Sequence, residues 1–186
     1  MKAFFIATFA VIISFCFSGV AKAQKGNDQP QRIVIIRHGE KPDDGNNLTC
    51  QGLNRALQLP AVLNKKIGIP DAIYVPAINL GKKTSEARMY QTIVPFAIKY
   101  NLNINSRYDV RDEKGLANAI MKERGTVLLV WEHKAIIKIV KALGINEPNI
   151  DWNDNDFDSM WIITFQNGKP VLTKDSENIR PSAECR

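Results

Sequence analysis

The chain has 186 residues, 45% of them hydrophobic, with 25 lysines and arginines against 19 aspartates and glutamates and a formal charge of +6. That length supports one domain with a sizeable core, and the modest positive balance suits anionic substrates. No basic run is interleaved with aromatics, which argues against nucleic acid, and two histidines with three cysteines make no zinc cluster.

The first 23 residues have the form of a secretory signal. Lys2 supplies a basic start, Ala3 to Val20 is largely apolar, and Ala21-Lys22-Ala23 is a small-x-small cleavage site. The apolar stretch is short and interrupted, unlike a retained membrane anchor, and Cys16 has no lipobox around it. Cleavage after Ala23 would leave 163 residues starting at Gln24, with 23 basic and 19 acidic groups and a charge of +4. The expected destination is the periplasm or the exterior, with no membrane partner after cleavage. Residues 24 to 30 are polar and read as a flexible leader, and residues 31 to 186 as the domain.

Residues 32 to 36 read as a strand whose four-residue apolar, β-branched run, Ile33 to Ile36, stops at Arg37-His38-Gly39. Such a run reads as a strand covered on both faces, and open α/β sheets bind ligands beyond the carboxyl ends of such strands. Arginine offers a fixed fork of donors suited to phosphate, a neutral imidazole is a nucleophile able to accept a phosphoryl group, and glycine lets the backbone come close to a ligand.

A loop rich in Pro, Asp, Gly and Asn follows from Pro42 to Asn47, then a helix with Thr49 as N-cap, in which Pro60 is expected to make a kink or a division. Ala72 to Val75 reads as a short strand, Ser85 to Tyr100 as an amphipathic helix broken near Pro95, and Leu102 to Asn105 as a weak strand. A helix from Gly115 to Arg124, a strand from Thr126 to Trp131 and a helix from Lys134 to Leu143 closed by Gly144 come next. Met160 to Phe165, the Asn167-Gly168 turn and Pro170 to Thr173 read as a closing hairpin with an exposed edge. Alternating strands and helices imply an α/β fold with a mostly parallel sheet.

Four stretches, in order, resemble the histidine phosphatase superfamily. They are the strand ending in Arg37-His38-Gly39, the helix opening Leu48-Thr49-Cys50-Gln51-Gly52, the helical Arg88-Met89-Tyr90-Gln91-Thr92, and the strand Val127 to Trp131 followed by Glu132 and His133. The likeness spans about residues 32 to 165. It implies a three-layer α/β/α sandwich of phosphoglycerate mutase type, with Arg37, His38, Arg88 and His133 as the catalytic core. It also implies metal-independent hydrolysis of phosphomonoesters, with no cofactor, through a phosphohistidine on His38.

The residues suit that chemistry. Both histidines stand at carboxyl ends of apolar strands. Phosphoryl transfer needs a nucleophile, neutralised non-bridging oxygens and a proton for the leaving alkoxide. His38 would attack, while Arg37, Arg88 and His133 would hold the oxygens and the arginine charges would keep His38 neutral.

In one branch of the family the general acid is a glutamate between the second arginine and the second histidine. Glu113 is the candidate here, with Asp112 its immediate competitor. The other branch places an acid directly after the second histidine, where this chain has Lys134. Glu132 should point to the opposite side of its strand, and Glu40 should orient the loop or pair with Lys41.

Val75-Pro76-Ala77 and a solvated Lys82-Lys83 turn replace the family's usual Ser-Pro-Leu approach to the second arginine. There is little room for a cap domain, so an open site is expected. Cys50 to Arg55 is one residue short of a tyrosine phosphatase loop. Asp154-x-Asp156-x-Asp158 lacks the glycine and distal glutamate of a calcium loop and reads as a solvated acidic loop. Cys50 and Cys185, the cysteines left after cleavage, pair in an oxidising compartment or stay as separate thiols, since spacing gives no distance. Asn47-Leu48-Thr49 is a glycosylation sequon. The substrate would be a small phosphomonoester or a phosphoprotein. The rival readings are a phosphoglycerate-mutase-like activity, a phosphohistidine or phosphoprotein phosphatase, and a non-catalytic phosphate-binding module.

Overall fold

The computed structural model describes residue 30 and residues 32–78 and 83–185. The signal-like segment, nearly all of the leader and Lys82 lie outside these residues. The elements are β1 (Arg32–Arg37), α1 (Cys50–Ile67), β2 (Ala72–Tyr74), α2 (Ala87–Tyr100), α3 (Glu113–Ile120), β3 (Thr126–Trp131), α4 (His133–Ala142), β4 (Ser159–Gln166) and β5 (Lys169–Ser176). None of the described helices is long and apolar enough to cross a membrane.

The strands form one sheet in the order β2-β3-β1-β4-β5. β1 and β2 run parallel to β3, with Ile33 beside Val127 and Ile73 beside Leu128. β4 pairs antiparallel with β1 and with β5, so the sheet is mixed rather than mostly parallel. The reason is local: Asn167 and Gly168 both have positive φ, the backbone of a tight hairpin turn, and this turn folds β5 directly back on β4.

The period-two alternation of β1 builds the layers. Ile33 and Ile35 face a core shared with α3 and α4, through Leu116, Ile120, Ile136 and Ile139. Val34 and Ile36 face α1 and α2, through Leu59, Leu63, Ile93 and Phe96. All four β1 residues are fully buried, each worth roughly 1.5–3 kcal/mol. The result is the expected α/β/α sandwich.

Several local expectations fail for physical reasons. α1 runs through Pro60 and α2 through Pro95 without division. Each proline removes one backbone donor, but the flanking Leu59, Leu63, Ile93 and Phe96 are completely buried, and their packing outweighs that loss. The stretch from Leu102 to Asn105 makes a single bridge, Asn105 to Tyr74, because only Asn105 exchanges hydrogen bonds with β2 and the residue after it. α3 starts at Glu113 because the Asp112 side chain caps the amide of Gly115 at 3.0 Å. β3 stops at Trp131, which leaves Glu132 as the N-cap residue of α4 rather than a strand residue.

Candidate active site

The parallel strands β1 and β3 end side by side, and the amide of His38 donates to the Trp131 carbonyl at 3.1 Å. This contact brings the residue after β1 against the end of β3, two residues before His133. Arg88, in the first turn of α2, completes the group; the charges of Arg37, Arg88 and His133 all act on His38. The four residues from distant stretches therefore share one site.

His38 is 3% exposed. Its Nδ1 lies 2.7 Å from the carbonyl of Gly39, which can only accept, so Nδ1 carries the proton and Nε2 keeps its lone pair. Burial, followed by the charges of Arg37, Arg88 and His133, pushes its pKa down to about 4 against the pull of the Gly39 carbonyl. The ring is neutral and nucleophilic at physiological pH.

Arg37 is 1% exposed. Its Nη1 donates to the carbonyls of Asp154 at 2.6 Å and Asp156 at 3.1 Å, and its guanidinium lies 3.9 Å from the centre of the Phe157 ring. Burial lowers its pKa to about 10, which leaves it cationic. Arg88 donates to the carbonyl of Gly45. Burial and then Arg37 lower the pKa of His133, while Asp154 opposes them.

Two glycines and a threonine set this geometry. A Cβ on Gly39 would lie 2.9 Å from the Gly52 carbonyl oxygen, and one on Gly52 would lie 2.3 Å from that of Glu40. The loop after β1 therefore lies directly on the first turn of α1, which Thr49 caps by accepting from the Gly52 amide at 3.2 Å. Thr92, fully buried, accepts from the Gly39 amide at 2.8 Å and donates to the Arg88 carbonyl at 2.8 Å. Gln91 accepts from the Leu48 amide at 3.0 Å.

The segment Asn153 to Asp158 borders the site: Asn153, Asp154 and Asn155 are exposed, as expected of a solvated acidic loop, while Asp156, Phe157 and Asp158 are half-buried. Trp152, stacked on Trp161 at 4.7 Å, donates to the Asp156 carbonyl at 2.9 Å and anchors it. Asp154 Oδ1 is 2.7 Å from His133 Nε2. Phe157 lies 6.0 Å from the His38 ring. No local pattern in the sequence marks Asp154 or Phe157; the only signal is the acid triplet itself.

Glu40 pairs with Arg55, at 2.8 Å, and Lys41 turns instead to the Pro42 carbonyl. Arg55 is buried and also binds Asp158 at 3.0 Å and Glu177 at 2.6 Å. Beside the site is a cavity of about 480 Å3 lined by Glu40, Gln51, Arg55, Phe157 and Arg180. Cys50 and Cys185 form a disulfide, and Asn54 holds the tail by donating to the carbonyls of Ser182 and Glu184. Glu113 opens α3 with its carboxylate 3.6 Å from Lys138 on α4. Among the described residues no group of three or more His, Cys, Asp or Glu side chains is placed to hold a metal ion.

Solved structures share this architecture. The protein histidine phosphatase SixA complexed with tungstate is 15% identical, with 78% of this chain and 97% of that chain covered and a TM-score of 0.50. A protein from Agrobacterium tumefaciens assigned as a phosphohistidine phosphatase SixA is 19% identical, with coverages of 79% and 97% and a TM-score of 0.52. The fold is that of the histidine phosphatases. One from Escherichia coli assigned as an alpha-ribazole-5'-P phosphatase matches at 12% identity, coverages of 84% and 98% and a TM-score of 0.52. No protein-family model and no curated protein sequence matches the chain.

Within this histidine phosphatase fold the site has one further property. Among the described residues, Nε of Arg37, Nε of Arg88 and both ring nitrogens of His133 are buried without a hydrogen-bond partner. His133 Nε2 has Asp154 close by but not aligned for a hydrogen bond. Buried polar groups are normally paired, so this set of unpaired nitrogens is suited to an oxygen-rich anion.

Proposed function

We propose that the chain is an exported, metal-independent phosphatase that hydrolyses phosphomonoesters through a phosphohistidine on His38. The observation that carries this reading is the set of unpartnered buried nitrogens on Arg37, Arg88 and His133, gathered around a neutral histidine. A transferring phosphoryl group spreads charge over three oxygens, and this set offers three groups to hold them. His38 Nε2 bonds to phosphorus as the ester P–O bond breaks and the oxygen leaves with its electron pair. Water then cleaves the P–N bond, which releases phosphate and restores the imidazole. The positive charge that a metal ion can supply to phosphoryl transfer comes here from two arginines.

The signal-like segment and the Cys50–Cys185 disulfide support export to an oxidising compartment. A second reading, dephosphorylation of phosphohistidine in a protein, is favoured by the likeness to two SixA structures.

The test is hydrolysis of p-nitrophenyl phosphate in EDTA by protein starting at Gln24, wild type beside His38→Ala. Turnover by the wild type that vanishes in the variant is expected. If neither turns over, the reading as a non-catalytic phosphate-binding module replaces this one. Faster turnover of a phosphohistidine-bearing protein than of the small ester would select the second reading.

A further inference from the structure

Hydrolysis of an unactivated ester needs a proton on the departing oxygen, which the arginines do not release. We propose that Asp154 is the general acid of this site, an inference that rests on the phosphatase reading above.

Among the described residues, Asp154 is the one carboxylate found within 4 Å of a nitrogen of the phosphate-binding set, at 2.7 Å from His133 Nε2. Its main chain is fixed by the Arg37 guanidinium at its carbonyl, while its side chain is 79% exposed and free to turn towards a leaving group. Other nearby carboxylates are engaged: Glu40 by Arg55, Asp156 by the Ser159 hydroxyl at 2.5 Å, and Glu113 by Lys138. A bound phosphoryl oxygen would take the Nε2 of His133, leaving the carboxylate of Asp154 beside a dianion. The role given to Asp154 is a pair of proton transfers. Asp154 gives its proton to the leaving oxygen as the P–O bond breaks, and as carboxylate it takes a proton from the water that attacks the phosphohistidine. The net result is ester plus water to alcohol plus phosphate, with Asp154 returned to its starting form.

The test compares phenyl phosphate, whose leaving group needs a proton, with 2,4-dinitrophenyl phosphate, whose leaving group does not, in wild type, Asp154→Asn, Glu113→Gln and Glu132→Gln. In a single turnover, Asp154→Asn is expected to slow release of phenol by roughly 10²–10⁴-fold and to leave release of dinitrophenol within about threefold. An active wild type in which Asp154→Asn slows single-turnover release of both leaving groups equally, or of neither, overturns the role of Asp154 alone. The same selective loss in Glu113→Gln or Glu132→Gln in place of Asp154→Asn also overturns it. A wild type that turns over neither ester overturns this inference together with the phosphatase reading.

Discussion

The backbone amide of Gly39 donates to the side-chain hydroxyl of Thr92 at 2.8 Å, and that hydroxyl donates in turn to the Arg88 carbonyl. One buried oxygen thus fixes the loop that carries His38 relative to the helix that carries Arg88. Replacing Thr92 with Val keeps the shape, leaves the Gly39 amide unpaired and removes the link. A stability loss of about 1–3 kcal/mol is expected, with a fall in kcat/KM of about 10²-fold, because a displacement near 1 Å is that costly. Urea melts and steady-state kinetics on the purified variant check both. Unchanged kinetics in a folded variant would contradict the role given to Thr92.

Gly52→Ala should be harmful although alanine favours helices. Its Cβ would meet the Glu40 carbonyl oxygen at 2.3 Å, and relief requires moving the loop after β1 away from α1. A loss of about 1–3 kcal/mol and a large fall in turnover are expected. Gly68→Ala is the control, with open space around it but φ of +73°, so it costs stability without touching turnover. Equal kinetics in the two variants would show that the glycine contact does not position His38.

These contacts explain how much of the site was legible. Arg37-His38-Gly39, Thr49 to Gly52 and Arg88 to Thr92 are short patterns readable by residue type, although Thr92 and Gln91 work by reaching Gly39 and Leu48 in distant stretches. Asp154 and Phe157 are brought to the site by contacts with Arg37, which lies 117 residues from Asp154, so no local spacing reveals them. Pro95 misled for the opposite reason: a local rule about broken helices lost to burial set by the whole sheet. The Asn167-Gly168 hairpin was legible and gives the antiparallel pairing of β4 and β5, while the antiparallel pairing of β4 with β1 carried no local signal.

Arg55 binds three carboxylates in the interior, and the partners differ in their response. Burial pushes the Glu177 carboxyl up to about 8 against the pull of Arg55, while the carboxylates hold the Arg55 guanidinium firmly charged. Removing the shared cation with Arg55→Met leaves buried carboxylates uncompensated and should cost about 3–5 kcal/mol. Glu177→Gln removes only the most buried carboxylate and should cost under about 1 kcal/mol at pH 8. Thermal melts of the two variants compare them, and the reverse order would contradict the arrangement.

The pKa of His38 also bears on stability. Its folded value is about 4 against an ordinary 6.5, so between these values the unfolded chain binds the proton and the folded chain does not. Stability from this group is complete above about pH 6.5 and is lost as pH falls through 4, by about 3 kcal/mol in all. The difference in unfolding free energy between wild type and His38→Gln, followed from pH 7.5 to 4, should shrink by that amount. A difference independent of pH would mean that His38 is not held neutral by the fold.

The nucleophilic role of His38 is tested most directly by rapid acid-free quenching of wild-type protein mixed with 2,4-dinitrophenyl phosphate, followed by peptide mass spectrometry at alkaline pH. A phosphate on the peptide containing His38, absent in His38→Ala, is the expected result. Rapid turnover with no phosphohistidine at any quench time, or with the phosphate on His133, would contradict the account.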